Sequence, residues 1–358
     1  MRPSWLRGCC LVPPYVLEHL ARHGDETQRR RAVATLAVDH SLRFGRAQLS
    51  TLLALRPAAV QDILASLAAG KPRRTIYDAH SGEDLGSATA VRIEGAEPTS
   101  DAAVNEAYDN LGSTYAYYWQ VHRRNSIDDR GLSLDAYVHF GEEYDNAMWD
   151  GRRMLFGDGD GLVLTHLTRA LEVVGHELAH GVTQYTAALA YQEQSGALNE
   201  SVSDVFGSLV KQFTLQQSAK DADWLIGADC IGSAVKGRAL RSMAAPGTAY
   251  TDMLGQKDPQ PAHMRDYVRT TADNGGVHVN SGIPNHAFYL IATAIGGNAW
   301  EKAGRIWYET IRDPRLRPTI GFQTFAATTV KAAVHLYGPA SSETAAVHDG
   351  WRQVGIEI

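Results

Sequence analysis

Apolar residues recur at spacings of three and four over residues 15–23 and 26–44, which predicts two helices separated by Gly24-Asp25; a third helix is expected over 50–67. The stretch 70–74, Gly-Lys-Pro-Arg-Arg, is turn-rich and charged and reads as an exposed linker. Beyond it the period shortens to two. Residues 75–79 and 89–93 are expected strands joined by a glycine-containing turn, and a helix follows over about 102–123, with Tyr108, Tyr115, Tyr118 and Trp119 along one side as an aromatic core stripe. Residues 134–140 and 154–156 read as further strands, ahead of a glycine-rich turn at 157–161.

A central apolar helical pattern runs over about 164–184. Leu167, Leu171, Val174, Leu178 and Val182 make one stripe, and Glu172 and Glu177 are the only charges between Ala170 and Gln184. Such a helix belongs in the interior, spanning two lobes. A second helix is marked by Leu198, Val202, Val205, Leu209 and Phe213. Residues 217–276 are loop-rich, whereas the apolar-periodic stretches 283–296, 299–312, 321–337 and 343–353 predict a mostly helical C-terminal lobe.

At 358 residues, 44% hydrophobic and 21% charged, the chain can form one large or two medium domains, with no compositional sign of disorder. No apolar run approaches the roughly 20 residues needed to span a bilayer. Arg7 interrupts the only candidate N-terminal apolar stretch and two prolines follow it, a poor secretory signal, so the expectation is a cytoplasmic protein or one exported by a route other than Sec. Three cysteines make no disulfide framework: Cys9 and Cys10 are adjacent, and Cys230 reads as a small buried hydrophobe.

Charge divides the chain. Residues 1–75 hold 12 Lys and Arg against 5 Asp and Glu, leaving 22 against 35 for the remainder. A segment of net charge +7 joined to a body of −13 fits either nucleic-acid binding or a prosegment attracted to the enzyme behind it. The basic residues are scattered through amphipathic helices and form no stripe, which favours the prosegment and speaks against nucleic acid.

Within the long helical pattern lies His176-Glu177-Leu178-Ala179-His180. Residues four apart on a helix share a face, so the two histidines can converge on one metal ion, while Glu177, about 100° away, is displaced from the ligand face and suited to act as a base beside it. This pattern arises by chance roughly 0.06 times in such a chain, so alone it is compatible with two histidines in a polar patch. Zinc at a catalytic site takes three protein ligands and keeps a fourth position open. Glu200, on the second predicted helix, is the candidate third ligand, with Asp204, one turn on, fixing a histidine tautomer and Asn199 a further outer partner.

These two segments, together with Asn146-Ala147-Met148-Trp149 and residues 273–282, Asp-Asn-Gly-Gly-Val-His-Val-Asn-Ser-Gly, resemble the thermolysin family of zinc metallopeptidases from about Thr75 to the C-terminus. Pro13-Pro14-Tyr15 is similar to the short prosequences of its protealysin branch. The resemblance implies an α+β fold of two lobes, with an inhibitory prosegment over 1–70, a β-rich catalytic lobe over 71–185 ending in the His-Glu-x-x-His helix, and a mostly helical lobe over 186–358. It implies that His278 and Tyr191 stabilise the oxyanion, with Asp273 orienting His278. Asn146 and Ala147 would lie on the edge where substrate binds, and Arg241 would donate to a substrate carbonyl. Leu164, Leu167, Val173, Ile226 and Leu240 match the pocket for the residue after the scissile bond, which predicts cleavage before Leu, Ile, Phe or Val.

One zinc is the expected cofactor. Where thermolysin binds paired calcium ions, this chain carries Glu172, Lys211, Asp223, Leu225 and Ala228. Three of those five positions lack a carboxylate, so the double site is expected to be absent, although calcium at a single site is compatible with the sequence. The expected partners are peptide or protein substrates and the chain's own prosegment as intramolecular inhibitor, acting as a monomer. A zinc aminopeptidase is the first alternative, but the Gly-x-Met-Glu-Asn sequence typical of that group is missing. A metal-stabilised binding module is the second.

Overall fold

The computed structural model describes residues 11–53, 70–253 and 255–358, apart from the side chains of 43–53. Pro13 and Pro14 enter the first helix, α1 (Pro14–His23), where a missing N–H costs nothing, and Val16, Leu17 and Leu20 make its buried face. Gly24 ends it. Asp25 then opens α2 (Glu26–Leu53) with a reciprocal capping box, its carboxylate accepting from Gln28 N and the Gln28 amide from Asp25 N, both at 2.9 Å.

The strands β1 (Arg74–Asp78) and β2 (Thr89–Ile93) form an antiparallel pair. The aromatic helix α3 (Ala102–His122), capped by the Asp101 carboxylate, crosses over to β3 (Leu134–Val138), which lies parallel to β1. Two short strands, β4 (Ala147–Trp149) and β5 (Met154–Phe156), complete a five-stranded sheet of order β2-β1-β3-β5-β4. One consequence matters for function. β4 is an edge strand, so the backbone groups on its outer side are not paired within the sheet.

Two helices follow, α4 (Leu171–Gln184) and α5 (Glu193–Leu215). Every residue of α4 from Glu172 to Thr183 is buried, as a helix apolar on one side and polar on the other must be when both sides are covered. The pair packs antiparallel and very close at two glycines. A Cβ on Gly207 would lie 2.3 Å from Glu172 O and 3.0 Å from His176 N, and a Cβ on Gly175 would meet Gly207 Cα at 3.1 Å. This contact sets how near the side chains of the two helices come.

The loop-rich region contains four short strands, β6 (Leu225–Ile226), β7 (Val235–Gly237), β8 (Arg241–Ser242) and β9 (Tyr250–Met253), paired as β6 with β8 and β7 with β9. Then come α6 (Asp273–Asn280), α7 (Gly282–Ile295), α8 (Ala303–Ile311), α9 (Phe322–Tyr337) and α10 (Ser342–Gln353), close to the four predicted periodic stretches. Trp307 and Trp351, both fully buried, stack at 6.0 Å in this lobe. No helix among the described residues is long and apolar enough to cross a membrane.

Three expectations need correction. The helix predicted from 164 starts only at Leu171. Its first turns are tied elsewhere: Asp160 accepts from the backbone of Leu162, Val163 and Leu164 at 2.7–3.1 Å, and Thr165 N donates to Cys230 O at 2.9 Å. Leu164 forms a bridge to Ile231, and Leu167 opens a single 3-10 turn. Arg74, read as linker, begins β1 and pairs with Glu94 at 2.5 Å. Finally, α2 runs to Leu53, past the predicted end at 44, and most of the third expected helix lies outside the described residues.

The glycine contact between α4 and α5 gives a direct test. Gly207→Ala forces the helices apart and should lower stability by about 1–3 kcal/mol in urea unfolding, the usual cost of overpacking; an unchanged midpoint would show that the crossing yields without strain.

Candidate active site

Because α4 and α5 run antiparallel, advancing one turn on α4 retreats one turn on α5. His176 therefore faces Asp204, and His180 faces Asn199, Ser203 and Glu200. His176 Nδ1 donates to Asp204 Oδ1 at 2.8 Å, and His180 Nδ1 lies 2.8 Å from both Asn199 Oδ1 and Ser203 Oγ. With the Nδ1 atoms engaged, the Nε2 atoms turn toward each other, 3.0 Å apart. Glu200 completes the group, with oxygens 3.6 Å from His176 Nε2 and 3.5 Å from His180 Nε2.

The three ligand atoms lie within 4.8 Å of one another and all three residues are buried. Among the described residues no hydrogen-bond donor reaches Glu200 Oε2, although it is out of contact with water. Two imidazole nitrogens and an orphaned carboxylate oxygen converging in the interior are costly without a cation, and they form the N/O donor set that zinc takes. The residues present fit that metal.

Asp204 anchors this arrangement. Its oxygens accept from His176 Nδ1, from Arg241 Nε at 2.9 Å and Nη2 at 2.8 Å, and from Asn285 Nδ2 at 2.8 Å. Burial raises the Asp204 pKa, but the Arg241 and His176 charges and hydrogen bonds outweigh it and hold the carboxyl well below the usual carboxylate range. Burial likewise opposes the Arg241 charge, and Asp204 reverses the effect and drives that pKa upward.

Beside the cluster, His278 is fixed by Asp273, whose carboxylate accepts from His278 N at 2.8 Å and meets Nδ1 at 2.7 Å. This reach-back requires the left-handed turn at the start of α6, where Asn274, Gly275 and Gly276 have φ of 51°, 90° and 75°. A Cβ on Gly275 would lie 2.9 Å from Glu193 Cγ, so glycine serves both conformation and space there. Burial works against a charged His278, yet Asp273 and Glu200 raise its pKa above the ordinary histidine value. Tyr191 hydroxyl donates to Glu200 Oε1 and lies 3.1 Å from His278 Nε2. Glu177 is held from the sheet, its Oε2 accepting from Trp149 N at 2.9 Å.

The edge of β4 is occupied by the chain's own N-terminal region. Leu11 N donates to Ala147 O at 3.2 Å, Val12 N to Asn146 Oδ1 at 2.9 Å, and Arg241 Nη1 to Leu11 O at 3.2 Å. Leu11 and Val12 are 0% and 1% exposed. Leu164, Leu167, Val173, Ile226 and Leu240 are buried in the same apolar cluster as Leu11. From behind, Asp39 of α2 accepts from Asn146 Nδ2 at 3.0 Å and from Tyr144 hydroxyl at 2.6 Å.

The ligand, outer-partner and oxyanion candidates named from the sequence are thus joined by direct contacts. The reading missed Ser203, Asn285, the Trp149 amide and Asp39. Ser203 follows Glu200 by three on the same helix and was within reach of a face argument; Asn285 and Asp39 join the site only through the tertiary fold. If Asp204 sets the His176 tautomer, Asp204→Asn should weaken metal retention by roughly 10–100-fold in a competition titration against a chelator. Unaltered retention would assign Asp204 to folding alone.

Comparisons with known proteins agree with this geometry. Residues 69–184 match the thermolysin metallopeptidase catalytic domain and residues 187–356 its alpha-helical domain. The chain is 47% identical over 350 residues to an extracellular metalloprotease of Pectobacterium carotovorum subsp. carotovorum, covering 98% of this chain and 97% of the relative. Against thermolysin of Alicyclobacillus acidocaldarius subsp. acidocaldarius it is 40% identical over 263 residues, 72% of this chain and 46% of that protein. The solved structure of the precursor of protealysin, a metalloproteinase from Serratia proteamaculans, superposes with a TM-score of 0.86 at 49% identity, over 97% of this chain and 99% of that one. The chain belongs to the thermolysin family of metallopeptidases and is a protealysin-like member of it.

Proposed function

We propose that the protein is a zinc endopeptidase made as a self-inhibited precursor that cuts before large apolar residues. The observation that carries this reading is the seating of Leu11 and Val12 on β4, held by Ala147, Asn146 and Arg241 within reach of the His176, His180 and Glu200 cluster. An endopeptidase holds extended backbone by adding it to a sheet edge, and here the chain fills that position itself.

His176, His180 and Glu200 would hold the metal, and a zinc ion bound there would supply Lewis acidity for water and for a peptide carbonyl. Glu177, anchored through one oxygen on the Trp149 amide, takes the proton of the attacking water and returns it to the leaving nitrogen. His278, oriented by Asp273, and Tyr191 border Glu200, and their polar atoms are the donors for the developing oxyanion. Arg241 and the Asn146-Ala147 edge position the substrate backbone. The buried apolar residues Leu164, Leu167, Val173, Ile226 and Leu240 receive the side chain after the cut, whose burial is worth roughly 1.5–3 kcal/mol, whereas a charge there is penalised.

The inhibitory prosegment is residues 1–70. Its contacts go beyond the cleft: Arg30 pairs with Glu143 at 2.5 Å, Arg31 with Glu143 at 3.5 Å and Asp145 at 3.9 Å, and Thr35 accepts from Asp145 N at 3.1 Å. These pairs give the charge division of the sequence a physical role. The location named for the Pectobacterium relative supports action outside the cell.

We also propose that the paired calcium site is replaced by an ion pair. Lys211 Nζ lies 3.0 Å from Asp223 and 3.5 Å from Glu172, placing a cation between the two remaining carboxylates. Burial lowers the Lys211 pKa, but Glu172 and Asp223 raise it further, so the ammonium stays charged. The thermal midpoint of zinc-loaded Glu177→Ala protein should be nearly indifferent to a calcium-selective chelator; a large drop restored by calcium refutes the replacement.

The catalytic proposal is tested with the same variant. Glu177→Ala should retain one zinc per chain, lose casein hydrolysis by at least about 100-fold, the scale of general-base catalysis, and remain full length when purified alone. Full activity, or shortening in the absence of another protease, would refute it.

A further inference from the structure

Arg31, Thr35 and Asp39 of α2 are four residues apart, so they form one stripe along the helix. That stripe meets the residues just ahead of β4. The Arg31 guanidinium lies 3.5 Å from Glu143 and 3.9 Å from Asp145, and Thr35 Oγ1 accepts from Asp145 N at 3.1 Å. One turn further on, Asp39 Oδ1 accepts from the Tyr144 hydroxyl at 2.6 Å and Asp39 Oδ2 from Asn146 Nδ2 at 3.0 Å. Val38 and Leu42 pack beside them against the cluster of Phe140 and Tyr144. Asp39, Tyr144 and Asn146 are all buried, where a donor facing a donor or an acceptor facing an acceptor is costly.

The Asn146 side chain has a donor end and an acceptor end, whereas an ionised carboxylate only accepts. Asp39 therefore takes the NH2 group and leaves Oδ1 on the opposite side. That oxygen accepts from Val12 N and from Ala147 N, each at 2.9 Å. With the amide reversed, its carbonyl would face the Asp39 carboxylate and its NH2 would face the Val12 N–H. Both contacts would be repulsive. Pro13 and Pro14 lack an N–H and end the pairing on β4 after two residues, so the segment in the cleft draws its remaining hold from the helices behind it.

We propose that Asp39 is a positioning residue of the inhibitory segment: through the Asn146 side chain it couples the docking of α2 to the seating of Leu11 and Val12 on β4. The proposal rests on the prosegment reading above. When α2 leaves, the carboxylate that sets the Asn146 amide leaves with it, and the hold on Val12 weakens at the same moment.

The test uses zinc-loaded full-length Glu177→Ala protein with isotope-labelled valine and reads hydrogen exchange at the Val12 N–H. Asp39→Asn should speed that exchange at least about 10-fold, the scale of losing a hydrogen bond to a buried charge. Thr35→Val, on the same stripe but bonded to Asp145, should speed it less. Adding Asn146→Asp to Asp39→Asn should restore slow exchange, because the new amide at 39 can donate to the new carboxylate at 146 while the other oxygen of that carboxylate receives Val12 N. A residue that merely stabilised α2 would not be rescued in this way. The valines of α4 and α5 report whether each variant is folded; should Asp39→Asn alone not fold, the double substitution decides, and it must be folded with slow exchange at Val12. Unchanged exchange in Asp39→Asn, an equal effect of Thr35→Val, or no rescue by the second substitution overturns the inference and leaves the peptidase reading standing. Casein hydrolysis by the chain that retains Glu177 is followed in parallel, and its absence overturns the peptidase reading and with it the inhibitory role of the coupling.

Discussion

The site depends on one buried carboxylate. Asp204, with no exposed surface, receives donors from His176, Arg241 and Asn285, and so ties α4, α5, β8 and α7 to a single point. A buried ion pair of this kind gives little net stability, since the desolvation of both charges offsets most of their attraction. What it gives is geometry. It fixes which His176 nitrogen carries the proton and aims the other at Glu200, while the remaining Arg241 nitrogen reaches the backbone that lies on β4. Under the proposed function, metal ligation and peptide binding would share one positioning element, so a change at Asp204 should disturb both.

The close helix crossing is the second constraint. Glycines 175 and 207 let α4 and α5 approach until His180 reaches Asn199 and Ser203 together. The same pair, at the turn nearest Gly207, carries Glu172, whose buried charge is met by Lys211 and by Gly227 N at 3.0 Å. Burial raises the Glu172 pKa against the lowering effect of Lys211.

Much of this was legible in the sequence because helical spacing is a geometric statement: His176 and His180, Glu200 and Asp204 had to share faces. The four C-terminal helices followed from apolar periodicity in the same way. The failures have a common cause. Leu164 and Leu167 keep the period of a helix, but Asp160 and Cys230 offer the backbone of Leu164 and Thr165 other partners, and spacing alone does not register such competition. Residues 11 and 12 gave no periodic signal at all, since two residues ending in prolines have no pattern to read. Asp39 lay unmarked in the middle of α2, and only the docking of that helix brings it to Asn146.

The central claim is that two imidazoles and one carboxylate of this helix pair hold a zinc ion while the N-terminal segment lies beside them. X-ray absorption at the zinc edge, on full-length Glu177→Ala protein loaded with one equivalent of zinc, addresses it most directly. The account predicts a shell of nitrogen and oxygen at about 2.0–2.2 Å with outer scattering from two imidazoles. A sulfur shell at about 2.3 Å, or a spectrum lacking imidazole scattering, would contradict it.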